Sequence, residues 1–160
     1  MKKRDKSGQM EMSFGMIFTI ISVIIFIAFA VYAISIFLNS QKSIQAESFA
    51  NELQNDIDKM WQGSGQQEKT YSVPGKIEYV CFINFNSPAD NMEEIYSKLK
   101  LFSDEGNLFF YPHDYEGKEI QHIDLQKTTV QKNPLCIQNN NGVKITIKKD
   151  FGDALITVSG

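Results

Sequence analysis

The spacing of apolar side chains divides the chain into three stretches. From Met12 to Leu38 no charged residue occurs, and the polar interruptions are Ser13, Thr19, Ser22 and Ser35, with one glycine at Gly15. About 20 helical residues cross the ~30 Å hydrocarbon layer of a bilayer, so a run of this length predicts a membrane-spanning helix. From Ile44 the pattern becomes one-sided. Ile44, Phe49, Leu53, Ile57 and Met60 recur at intervals of three to five, while Gln45, Glu47, Asn51, Glu52, Asp56 and Asp58 fill the other faces. That is an amphipathic stripe. No Pro or Gly interrupts the chain between Gly15 and Gly63, so the spacing predicts one long helix over 9–62, with the span at about 12–38. Gly63-Ser64-Gly65 ends it, because glycine supplies the positive φ of a helix C-terminus.

Beyond Gly65 the texture turns to β-branched and aromatic residues. Thr70–Val73 and Lys76–Phe85 predict strands, separated by a turn at Val73-Pro74-Gly75-Lys76. Met92, Ile95, Leu99 and Phe102 have helical spacing over Asn91–Phe102, with Asp90 as candidate N-cap. Asn107–Tyr111 predicts an aromatic strand, and Ile120–Leu125 a weak one. Leu135–Gln138, Asn139-Asn140-Asn141-Gly142 and Val143–Lys148 together predict a hairpin, since Asn-Gly favours a tight turn. Ala154–Val158 closes the chain as a last strand. Leu108-Phe109-Phe110-Tyr111 reads as a core strand against the Phe49/Leu53/Ile57 stripe rather than an exposed contact patch, with Trp61 capping that core. The expected fold class is α+β: a long N-terminal helix, then a mainly antiparallel β-sheet head over 63–160 with one short helix.

Charge orients the span. Lys2, Lys3, Arg4 and Lys6 precede it, opposed only by Asp5, in a basic leader over 1–8. Cytoplasmic flanks carry the excess of Lys and Arg, which places the N-terminus in the cytoplasm and residues from about 40 onward outside the cell. A cleavable secretory signal fits less well. Its apolar core is ~7–15 residues long, and Ala28-Phe29-Ala30, the one tolerable cleavage motif, falls mid-span. The whole chain carries −3, so the part after the basic leader is more acidic still. An acidic head without a basic stripe argues against nucleic acid as partner and against polybasic lipid contacts.

The chain has two cysteines, Cys81 and Cys136, both in the part placed outside. An even count in an oxidising compartment favours a disulfide. Closing a loop of that size stabilises a domain by ~3–4 kcal/mol in the chain-entropy picture. The alternative is a pair of buried thiols serving as small apolar side chains. Neither histidine lies at zinc-ligand spacing from a cysteine, and there is no CxxC pair.

Catalytic chemistry finds little footing. GxSxG, HExxH and P-loop motifs are missing from the sequence. His113-Asp114 and His122 with Asp124 pair an imidazole with a carboxylate but supply no nucleophile. Glu93-Glu94 and Asp104-Glu105 read as solvated charges. Asp150-Phe151-Gly152-Asp153 lacks the spacing of an EF-hand calcium loop. The expectation is a protein that is not an enzyme and holds no cofactor or metal.

The N-terminus carries a family resemblance. Lys6-Ser7-Gly8-Gln9-Met10-Glu11-Met12-Ser13-Phe14 resembles the class III signal peptide of archaeal type IV pilin-like proteins: a short basic leader, Gly before the cut, Gln after it, a nearby Glu, then an uninterrupted apolar helix. The likeness covers residues 2 to about 38. It implies cleavage between Gly8 and Gln9 by a prepilin peptidase, with the membrane helix left on the mature protein. In pilins the Glu usually stands fifth after the cut; here Glu11 would be third and Ser13 fifth. The resemblance further implies an assembly helix, in which Phe14, Phe18, Phe26 and Phe29 would pack a filament core. Its partners would be membrane lipid, the peptidase, and copies of itself or other pilin-like subunits. The alternative is an unprocessed single-pass anchor carrying a surface binding module for an unknown ligand.

Overall fold

A computed structural model of the chain describes residues 14–102, 106–112 and 117–160. The elements are α1 (Phe14–Trp61), β1 (Gly65–Tyr71), β2 (Tyr79–Phe82), α2 (Glu93–Phe102), β3 (Leu108–Tyr111), α3 (Leu125–Thr128), β4 (Leu135–Gln138), β5 (Val143–Lys149) and β6 (Thr157–Ser159). The fold is α+β, as the periodicity predicts. Two compact units divide between Gln41 and Lys42, within α1, so the helical turns from Lys42 to Trp61 belong to the head.

The head holds two three-stranded antiparallel sheets rather than one. Their strand orders are β1-β5-β6 and β3-β2-β4. Alternation along the strands explains how both find a core. In β5, Val143, Ile145 and Ile147 are buried, while Lys144 and Lys148 face water, the ordinary pattern of a sheet with one wet face. In β2 both faces are buried. Val80 and Phe82 join Phe49, Leu53 and Ile57 of α1 in the main core, with Leu108 and Phe110 of β3. Cys81 and Ile83 point the other way, into a smaller core with Phe109, Tyr96 and Leu99. The β3-β2-β4 sheet is therefore covered by α1 on one side and α2 on the other. This is why Val80–Ile83 and Leu108–Phe110 read as unbroken apolar runs.

Several expectations require correction. The first strand begins at Gly65, not Thr70. Its residues Gln66, Gln67 and Glu68 lie exposed on an edge strand, so no apolar alternation marks them. Residues 120–125 form no strand: Ile123 makes a single parallel bridge to Ile156, and Asp124 caps α3 by accepting from the Lys127 N–H at 3.0 Å. The last strand is Thr157–Ser159. Asp90 does not cap α2, which starts after Met92. Its carboxylate accepts from the Asn133 N–H at 2.5 Å and fixes the 84–90 loop instead.

The predicted hairpin is also not one. β4 pairs with β2, and β5 pairs with β1 and β6, so the turn at 139–142 carries the chain between sheets. Asn139 accounts for the divergence. Its backbone N–H donates to Glu78 O at 2.8 Å and its Nδ2 to Ile77 O at 2.8 Å, which holds the end of β4 against the loop before β2.

The disulfide is present. Cys81 stands directly opposite Cys136 in the β2–β4 ladder, 4.0 Å apart at Cα and 55 positions apart in the chain.

Candidate functional site

The first candidate is the apolar part of α1. Its 24 residues Gly15–Leu38 form a helix long and apolar enough to cross a membrane, and none of it is buried by the rest of the protein. Among its side chains only Ser22 is half-covered; Phe18, Phe29 and Phe26 (74% exposed) point outward. Phe14 is the first residue of α1. Two of the hydroxyls in this segment bond within the helix: Thr19 Oγ1 donates to Gly15 O at 2.6 Å and Ser35 Oγ to Val31 O at 2.9 Å. Covering one Phe, Ile or Leu is worth ~1.5–3 kcal/mol. With over a dozen such residues bare, the total exceeds the ~5–15 kcal/mol that stabilises a whole domain. This surface requires an apolar cover. Gly8, Gln9 and Glu11, the residues expected to mark processing, lie outside the described residues, as do His113 and the Asp104-Glu105 pair.

The second candidate is the C-terminal end of α1, where three segments of the head grip it. Trp61 does not cap the core as expected. It is 41% exposed and stacks flat on His122, ring centroids 3.9 Å apart. The Trp61 Nε1–H donates to Ala154 O at 3.0 Å, and Lys149 Nζ donates to Trp61 O, occupying one of the carbonyls a helix end leaves unpaired. His122 Nδ1 lies 3.2 Å from Asp58 Oδ1, which also accepts from Gln54 Nε2 at 2.7 Å. Gln54 Oε1 accepts from the Gln121 N–H at 2.7 Å. His122 thus pairs with Asp58 and Trp61, not with Asp124.

A third cluster joins α1 to β1. Asp56 is buried, and its Oδ2 accepts from Lys69 Nζ at 2.6 Å and from the Tyr71 hydroxyl at 3.1 Å; Oδ1 lies 3.3 Å from Lys59 Nζ. Glu52 reaches Lys69 at 2.8 Å. Burial pushes the Asp56 carboxyl up, but the hydrogen bonds from Lys69, Tyr71 and Lys59 outweigh it and hold the group below its ordinary value. Burial, with the Asp56 charge beside it, pushes the Tyr71 phenol up. The apolar stripe alone would leave Asp56 on the wet side, and the structure buries it. Its spacing was informative: Asp56 follows Leu53 by three and Phe49 by seven, on the buried face.

Other predicted residues are committed elsewhere. Asp150 pairs with Lys148 and Asp153 with Lys127, each at 2.8 Å, so both carboxylates of the Asp150–Asp153 turn serve ion pairs. Glu94 pairs with Lys98 at 2.7 Å. Among the described residues no group of three or more His, Cys, Asp or Glu is placed to hold a metal. An open recess of about 430 Å³ lies between the 84–87 loop and α3, its lining mixed between polar side chains such as Asn84, Ser87 and Asp124 and apolar Ile123, Leu125 and Leu155.

No family model, no curated protein and no solved structure matches this chain. The functional reading therefore rests on its own residues.

Proposed function

We propose that the protein is a pilin-like subunit, or an accessory pseudopilin, of a surface filament or secretion-type assembly. In this reading the N-terminus is cytoplasmic and the head lies outside the cell. Prepilin peptidase cuts between Gly8 and Gln9, and the helix waits in the bilayer until it transfers to other subunits. The role is structural rather than catalytic. The observation that carries the proposal is the all-round exposure of Gly15–Leu38. A helix apolar on every face can exchange lipid for neighbouring helices without turning any one face. The disulfide supports the placement of the head in an oxidising compartment.

A second reading has its own support. With Glu11 third after the cut rather than fifth, the charge used in pilin assembly is displaced by two positions. On that reading the chain is a single-pass anchored binding module, and the recess beside α3 is the place on the head where a ligand would sit. A double variant, Phe18→Cys with Phe26→Cys, separates the two in native cells, because each chain then carries two free thiols and can be linked to a neighbour on both sides. An assembly helix gives oxidative cross-links between copies in a ladder of more than two subunits. A lone anchor gives monomer, or a dimer at most.

A further inference from the structure

The turn between β4 and β5 places a chemically fragile dipeptide where the fold leaves no substitute. Asn141 has φ 61° and Gly142 φ 141°, backbone that glycine and asparagine tolerate best. A Cβ on residue 142 would lie 2.7 Å from Thr70 Cγ2 and 3.2 Å from Tyr71 O, so the close pass over the end of β1 requires glycine there. Asn followed by Gly is the pair in which a backbone amide most readily attacks the preceding side chain, because no Cβ hinders the approach.

The reaction is self-contained. The Gly142 nitrogen loses its proton to water or hydroxide and bonds to Asn141 Cγ. The Cγ–Nδ2 bond breaks, ammonia leaves, and a succinimide ring remains. Water then opens the ring at either carbonyl, giving aspartate or isoaspartate at 141.

In the folded head that nitrogen is already engaged. The Gly142 N–H donates to Asn139 Oδ1 at 2.9 Å. Asn139 cannot swing away freely: its N–H bonds Glu78 O and its Nδ2 bonds Ile77 O, both at 2.8 Å, with Pro74 O at 3.5 Å. Asn140 N–H donates to Gly142 O at 3.2 Å and closes the other side of the turn. The geometry points to Asn141 as a spontaneous modification site guarded by Asn139. Asn139 is a positioning residue that keeps the Gly142 nitrogen from attack, and conversion proceeds only through states in which the turn has opened.

The test is to age the full chain, purified in detergent micelles, at mildly alkaline pH and to quantify isoaspartate at 141 by peptide mapping. Asn139→Ala should speed conversion about three- to tenfold, the population change expected for losing one hydrogen bond. In strong denaturant the two proteins should convert at one rate. Equal rates for folded wild type and Asn139→Ala would overturn the proposal, as would rates that still differ in denaturant. Hydrogen exchange on the wild type alone provides a check that needs no variant. A slowly exchanging Gly142 amide is expected, and one exchanging as fast as exposed backbone contradicts the guard.

Discussion

Trp61 and His122 lie face to face, ring centroids 3.9 Å apart and planes inclined by 12°, although they stand 61 positions apart in the chain. The contact fastens the last turn of α1 to the head. It is held from the helix side by Asp58 and from the β5–β6 loop by Ala154. His122 adopts φ 64° to reach it, a left-handed conformation that a Cβ makes costly.

That conformation separates backbone from ring. His122→Ala and His122→Gly both remove the stack, but only the glycine removes the Cβ. His122→Gly should be the more stable of the two by about 1 kcal/mol in chemical denaturation. Trp61 is the one tryptophan, so its emission reports the stack directly. Both variants should change its intensity alike. An alanine variant as stable as the glycine variant contradicts the strain argument.

Asp56 predicts an acid-sensitive head. Its folded carboxyl titrates below the ordinary value of 3.8, so the stability it supplies is fully present above that value. It is lost as pH falls through the lower, folded value. Asp56→Ala strands the buried Tyr71 hydroxyl and should cost about 1–3 kcal/mol at neutral pH. The gap between variant and wild type should narrow as pH drops below 4, measured by denaturant midpoints across that range.

The stripe of α1 makes a contrast within one helix. Phe49 meets Tyr71 and Phe110 edge-on at 5.5 and 5.7 Å, at the centre of the main core. Phe49→Ala should destabilise the head by about 3–5 kcal/mol. Ile44, five residues earlier, is 64% exposed, and Ile44→Ala should stay within about 0.5 kcal/mol. Thermal or denaturant unfolding of the head distinguishes the two outcomes.

Cys81 and Cys136 tie the edge strand β4 to the central β2. Replacing both with alanine should cost about 2–4 kcal/mol. Intact mass under non-reducing conditions should show no alkylatable thiol in native protein.

How much was legible depended on which signal each residue carried. The helix, the apolar run and the β2, β3 and β5 strands follow from periodicity, which burial imposes and the sequence therefore displays. The disulfide followed from parity and compartment. The buried face of α1 was only half legible, because Ala46 and Ala50 sit in the core with no more than a methyl group to signal it, while Ile44 has the right chemistry and faces out. The pairing of β4 was misread because Asn-Gly signals a turn, not which strands flank it. The choice was made by Asn139 bonding backbone groups more than sixty residues away. The His122–Trp61 contact had no local signature at all. The extended α1 side chains that carry the functional proposal were the most legible feature, and the leader that would decide it lies outside the described residues.

The proposed function turns on prepilin-type processing between Gly8 and Gln9. Its most direct test is the intact mass and first residue of the protein recovered from its native membrane. A mature chain beginning at Gln9, with the helix retained, is the predicted result. A chain that still begins at Met1 or Lys2 contradicts prepilin-type processing and leaves the anchored binding module as the reading to pursue.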